Sequence, residues 1–284
     1  MEVKTHYPKH PLLRKYIEYY YFLKTGSADF RSSYYAFPHM LHSLNIHRDV
    51  TCEIDVDSII VRGGSANKHL MVLQGRYDRP LRIELSGILD KITIAFKPLG
   101  LNPFISRPFS EVARDTSQVF TDWSDDIGCK AFLDAFYSTG AEDERIDILE
   151  TYLLSRYRPL EGEDLLLRAL AMLTDFDSEH SIPFIAEHIS MTPRSFHRFF
   201  HKNLGLPPAN FRKIARFRHA MQNRMFSSRF RSLTEIGYKS NFSDQSYFIR
   251  IYKEMTGDNP RKLFSSIDKL ADDHVIFKFI KDLQ

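Results

Sequence analysis

The 284-residue chain predicts an α+β protein: a mostly antiparallel β sheet or barrel with helices at the N-terminus, then an all-α domain with two helix-turn-helix units. Three observations carry that expectation. Residues 1–98 hold short segments rich in β-branched and aromatic residues, punctuated by glycine and proline turns. After Pro98 the apolar spacing becomes helical. Between Pro183 and Phe264 one helix-turn-helix pattern occurs twice.

In the first region, residues 17–24, 34–47, 58–62, 69–73, 81–85 and 91–96 read as strands, separated by Gly63-Gly64, Gly75, Asp78-Arg79-Pro80 and Gly87. Residues 100–106, 127–137 and 142–157 read as helices. In the last, Ile146, Leu149, Tyr152, Leu153 and Tyr157 recur at helical spacing, and Glu142, Asp143 and Glu144 favour the positive end of the helix dipole. That stripe suits either a seat on the sheet or a dimer contact. Residues 158–164 read as a hinge, followed by a helix to about Thr174. The domain expectation is 1–157 for a sensory or dimerisation domain (β-rich barrel 1–98, helical 99–157) and 163–267 for the tandem helix-turn-helix domain. Residues 268–284, with Leu270, Val275, Ile276, Phe277, Phe279 and Ile280, are expected to form a helical extension. It would pack on the helix-turn-helix domain or dock on the sensory domain and restrain the reader.

The first unit starts at Pro183 and is expected to pack Phe184, Ile185, Ile189, Phe196, Phe199 and Phe200 inside two short helices. The second runs from Leu233 to Lys253, with Ile236, Phe242, Phe248, Ile251 and Tyr252 inside. Thr192 supplies an N-cap oxygen and Pro193 a first helical residue whose missing N–H costs nothing. Ser243 and Asp244 play the equivalent part in the second unit. Gly205 and Gly257 follow at matching distances as left-handed C-caps, each succeeded by proline.

These residues resemble the DNA-binding domain of AraC-type transcription regulators over roughly the last hundred residues before the tail. The resemblance rests on Phe184-Ile185-Ala186, the run from Thr192 to Phe200, Gly205 with Pro207-Pro208, and the run from Asn241 to Gly257. Gly237, Asn241 and Asn259 depart from the family pattern; Gly237 costs about 1 kcal/mol of helix stability relative to alanine. Residues 92–100 and 104–109 are similar to the passage that closes the cupin-like regulatory barrel of such proteins. That resemblance implies ligand sensing, dimerisation or both.

Charge is unevenly placed. Residues 183–267 carry 15 Lys and Arg against 5 Asp and Glu, or +10, whereas the rest of the chain carries −7. A basic domain of this kind attracts phosphates in a salt-dependent way. The N-terminal half of each second helix meets the major groove, so the exposed candidates are Arg194, Ser195, His197 and Arg198 in the first unit and Gln245, Ser246 and Arg250, with Tyr247 at the edge, in the second. The resemblance implies base readers at Arg194, His197, Arg198, Gln245, Ser246 and Arg250. Arginine pairs with guanine and glutamine with adenine through two hydrogen bonds. The expected backbone contacts are Thr192, Lys202, Arg212, Lys213, Arg216, Ser243 and Lys253, with Arg218 on the same linking helix. Residues 208–226 form one connector on the order of 25 Å long, so one chain would read two adjacent groove segments on double-stranded DNA.

Other classes have less support. His39, His42, His47 and Glu53 form the notable ligand-type cluster, but alternation on one strand separates the histidines and no zinc motif is present. No phosphate loop or nucleophile triad stands out, so no enzyme, metal or cofactor is expected. The aromatic residues Tyr16, Tyr19, Tyr20, Tyr21, Phe22, Tyr34, Tyr35 and Phe37 suit barrel packing or a small-molecule pocket. Cys52 and Cys129 form no disulfide framework, and no apolar run is long enough to span a bilayer. The expectation is a cytoplasmic regulator that binds DNA without a membrane, with a small-molecule effector, a second copy of the chain and RNA polymerase as candidate partners. The alternatives are an enzyme or metal-binding sensor barrel tethered to DNA, or a nonspecific architectural DNA binder.

Overall fold

Alternating side chains build the N-terminal region, joined by two strands from the C-terminal tail, into two six-stranded sheets in the computed structural model, which describes residues 1–64, 69–75, 78–124, 127–226, 245–259, 268–270 and 275–279. Numbered along the chain, the first sheet has the order β1 (Glu2–His6), β2 (Ile17–Lys24), β9 (Asp90–Phe96), β4 (His42–Arg48), β7 (His69–Gln74) and β10 (Ser117–Val119). The second has the order β11 (Asp268–Leu270), β12 (Val275–Phe279), β3 (Arg31–Ala36), β8 (Leu81–Ser86), β6 (Ser58–Gly63) and β5 (Val50–Ile54). Pairing is antiparallel except between β6 and β8. The single strand expected over 34–47 is two, β3 and β4, in different sheets. Pro38 lies in the break, where it can give no ladder hydrogen bond.

The two faces of the first sheet differ in chemistry. Tyr20 and Phe22 of β2, Leu44 and Ile46 of β4, and Ile92, Ile94 and Phe96 of β9 share one buried cluster with helices α3 (Ile127–Ser138) and α4 (Glu142–Arg156). Ile146, Leu149, Tyr152 and Leu153 of α4 lie in that cluster, so its apolar stripe sits on the chain's own sheet. Each such side chain, fully buried, contributes about 1.5–3 kcal/mol. The buried Arg145 adds a two-pronged contact to Asp90, at 2.8 and 3.0 Å. On the other face, Leu23 and Val72 join Ile59, Val61, Ile83 and Leu85 of the second sheet in a separate cluster.

Two short helices, α1 (Pro11–Tyr16) and α2 (Phe109–Val112), were not apparent in the sequence, and the helix expected at 100–106 shortens to a 3₁₀ turn at Asn102–Phe104. Beyond the hinge come α5 (Glu163–Thr174), α6 (Ile182–His188), α7 (Pro193–Leu204), α8 (Pro208–Phe226) and α9 (Gln245–Thr256). Gly162 opens α5 at φ 71°, a conformation that an L side chain rarely adopts. Helices α5 to α8 bury Leu166, Leu170, Ile185, Phe196, Phe200 and Phe211 in one core, which Leu99 of the N-terminal region completes.

The C-terminal extension is not the expected helix where it is described. Strands β11 and β12 pair antiparallel, and β12 adds to the second sheet beside β3 through Phe277↔Ala36, Lys278↔Tyr35 and Phe279↔Tyr34. Val275-Ile276-Phe277-Lys278-Phe279 is β-branched and aromatic, and β3 presents an edge whose backbone groups need partners. The extension therefore docks on the N-terminal domain.

Candidate nucleic-acid interface

Helix α7 is fixed at both ends by its own sequence. Thr192 Oγ1 accepts from Ser195 N at 3.2 Å, Pro193 occupies the first turn, and Gly205 closes the helix at φ 73°. Phe196 and Phe200 face the core, which turns Arg194, His197 and Arg198 outward, all three exposed. Lys202 is exposed one turn further on. The first unit departs from expectation at Phe184, which is 47% exposed. It stacks between His180 and His188, at centroid distances of 4.9 and 6.3 Å, so aromatic neighbours on the surface replace core packing.

Helix α9 repeats the arrangement. Phe248, Ile251, Tyr252 and Met255 are buried, while Ser246, Arg250 and Lys253 are exposed. Arg250 stands 5.1 Å from the Tyr247 ring centroid, within cation–π range. Gly257 ends the helix at φ 75°. Gln245 is the first residue of α9, but its side chain is not described; Ser243, Ile236, Gly237, Asn241 and Phe242 lie outside the described residues.

The expected backbone contacts on α8 already have internal partners. Lys213 Nζ pairs with Glu254 of α9 at 2.5 Å, Arg216 pairs with Glu179, and Arg212 donates to the His180 carbonyl at 2.5 Å. Burial and the neighbouring Arg216 lower the Arg212 pKa. Arg218 corrects the sequence reading outright. It is 3% exposed and points into the N-terminal domain, donating to the carbonyls of Pro38 and Phe37 at 2.5 and 2.6 Å. The segment after β3 leaves these carbonyls outside any ladder, and a guanidinium satisfies both.

Arg218 also lines a cavity of about 80 Å³ between the two sheets. Tyr19 and Tyr21 of β2, Ser43, Asn45 and His47 of β4, and Lys91 of β9 form one wall, with Ile59, Val61, Ile83 and Leu85 opposite. Tyr34 and Phe37 line it as well, whereas Tyr16, Tyr20 and Phe22 belong to the helix-covered core. The proposed aromatic group is thus divided by strand alternation. Burial lowers the pKa of His42 to about 4 and holds His39 and His47 well below their usual range; Arg218 adds to the effect on His39 and Lys91 to that on His47. His42 Nδ1 lies 2.6 Å from the Gly75 carbonyl, while no group of metal-ligating side chains occurs among the described residues. Cys129 is buried, Cys52 is partly exposed, and neither is in a disulfide among the described residues.

Residues 185–266 match the family described as a helix-turn-helix domain. Residues 5–118 match a family described as a domain of unknown function, DUF6597. The chain is 24% identical over 136 residues to the arabinose operon regulatory protein of Escherichia coli strain K12, covering 45% of this chain and 46% of that protein. It is 29% identical over 84 residues to the corresponding protein of Salmonella typhimurium, covering 30% of this chain and 29% of that protein. The match thus spans less than half the length of these relatives. Among solved structures, ToxT from Vibrio cholerae O395 is similar at 13% identity and a TM-score of 0.44, over 85% of this chain and 96% of that one. A second crystal form of ToxT gives 12% and 0.46, over 92% and 97%. The helix-turn-helix match contains α7, α8 and α9, and hence every expected base reader. No helix among the described residues is long and apolar enough to cross a membrane.

Proposed function

We propose that the chain is a sequence-specific DNA-binding transcription regulator of the AraC type, whose α7 and α9 read adjacent major-groove segments and whose sensory domain binds a small-molecule effector. The observation that carries this reading is the shared geometry of the two helices. In each, buried aromatics fix the rotation so that polar and arginine side chains face outward. Arg194, His197 and Arg198 are the readers of the first unit, and Gln245, Ser246 and Arg250 those of the second. Thr192, Lys202, Ser243 and Lys253 hold phosphates, and Arg212, Lys213 and Arg216 join them by exchanging an internal partner for a phosphate oxygen. The Lys213–Glu254 pair is partly exposed, and such pairs are worth little in water. The protein works as a cytoplasmic regulator without catalysis, with a second copy of the chain and RNA polymerase as further partners.

The test is selection of bound duplexes from a random pool, repeated at two salt concentrations. The reading predicts an asymmetric motif with two conserved blocks about 10 base pairs apart and an affinity that falls steeply with salt. Binding without sequence enrichment would instead establish a nonspecific architectural binder.

A further inference from the structure

We propose that Ile249 is a further specificity-determining residue, one that reads the 5-methyl group of a thymine in the groove segment occupied by α9. This rests on the two-reader function above and adds to it a side chain that neither charge nor hydrogen bonding would select. Helices α7 and α9 set out their side chains in the same order. Residues 194–198 run exposed, half-buried, buried, exposed, exposed, and residues 246–250 repeat that run position for position. Phe196 and Phe248 are the fully buried anchors of the two runs. Gly205 and Gly257 close the helices at the same distance beyond them, at φ 73° and 75°. Ile249 therefore stands where His197 stands in the first unit, beside the outward arginine of its helix and one turn beyond Ser246.

The fold itself gives no reason for isoleucine at this position. Ile249 is 39% exposed, and among the described residues it is the one large apolar side chain exposed on either reading helix. It stands outside the cluster that holds Phe248, Ile251 and Tyr252. A β-branched residue at an exposed helical position loses rotamer freedom and gains little burial in return. Its surface neighbours Ser246 and Lys253 are groups suited to bases and phosphates. Arg250 leans the other way, 5.1 Å from the Tyr247 ring centroid, and positions 247 and 249 lie about 200° apart around the helix axis. Arginine and isoleucine thus address different parts of the groove. In the major groove thymine alone presents a methyl group, and that group takes apolar contact. An isoleucine there also disfavours cytosine, whose amine would lose water without gaining an acceptor. The first unit offers a hydrogen-bonding histidine at the matching position, so the two helices read different chemistry.

The experiment uses the full chain and the duplex selected as described above. Each thymine of the α9 block is replaced in turn by deoxyuridine, which removes the 5-methyl group and keeps every hydrogen-bonding group of the base. One replacement should weaken binding about fourfold, the worth of one buried methyl group. Ile249→Ala should weaken binding to the thymine duplex by a similar factor and bind the thymine and deoxyuridine duplexes equally at that position. Arg250→Ala should keep the thymine preference there while losing discrimination at a different base pair. Thermal unfolding of Ile249→Ala should match that of the unaltered protein, since the side chain is exposed. Indifference to every deoxyuridine in the α9 block, or a thymine preference that survives in Ile249→Ala, would overturn the assignment and leave the selected motif and the regulator reading standing. Failure to select any motif would remove the regulator reading, and this assignment with it.

Discussion

Helix α7 buries Phe196 and Phe200 in a core made from α5, α6 and α8, to which the sensory region contributes Leu99. Helix α9 buries Phe248, Tyr252 and Met255 in a different cluster, which contains Phe37 from the cavity wall. The same cluster holds Phe217, next to Arg218, and the tail after α9 returns to pair with β3. Two helices of similar sequence are thus held by different means. The first is positioned by its own caps and a helical core, helped by Asn102 Nδ2 donating to the Asn203 carbonyl at 3.0 Å. The second rests against Phe37, which also lines the cavity. A change in the cavity is therefore expected to reach the second reader before the first.

The largest way to break this comparison is Arg218→Ala. It leaves the Phe37 and Pro38 carbonyls without their guanidinium, and an unsatisfied buried acceptor costs about 1–3 kcal/mol. The variant should lose about 3 kcal/mol of stability in denaturant unfolding, and its DNA footprint should weaken over the α9 block while that over the α7 block persists. A smaller effect is expected from deleting residues 268–279, which removes β12 from the edge of β3. Loss of a few ladder bonds should cost about 2 kcal/mol and change occupancy of the α9 block only. Equal change at both blocks in either variant would mean that the two readers share one anchor.

Much of the reading domain was legible because its signals are local. The connector expected at 208–226 is α8, and Thr192, Gly205 and Gly257 cap as their spacing requires. Phe184 misled because helical periodicity says which residues share a face and not whether histidines will cover that face. In the sensory domain the strands at 17–24 and 91–96 were clear, yet the cavity was not. The alternation Ser43-Leu44-Asn45-Ile46-His47 usually describes a strand with one wet face. Here the helices take the apolar face and the polar face turns inward, so Lys91 and Asn45 are concealed by the pattern of surface residues. Arg218 was hidden by its company, a basic helix in which every arginine suits a phosphate. The tail failed through length and context, since its strand needs the β3 edge, far away in sequence.

The most direct measurement is a binding titration of Arg198→Ala and Arg250→Ala against the selected site and its single-base variants. If each arginine makes a two-bond contact with a base, each substitution should cost about 1–3 kcal/mol. Each should also relax discrimination at one or two base pairs, in separate blocks about one helical turn apart. Because Gly237 and Asn241 depart from the family pattern, Arg198→Ala should be the more damaging. Base preferences that stay unchanged in both variants would make these residues backbone clamps and contradict specific reading by α7 and α9.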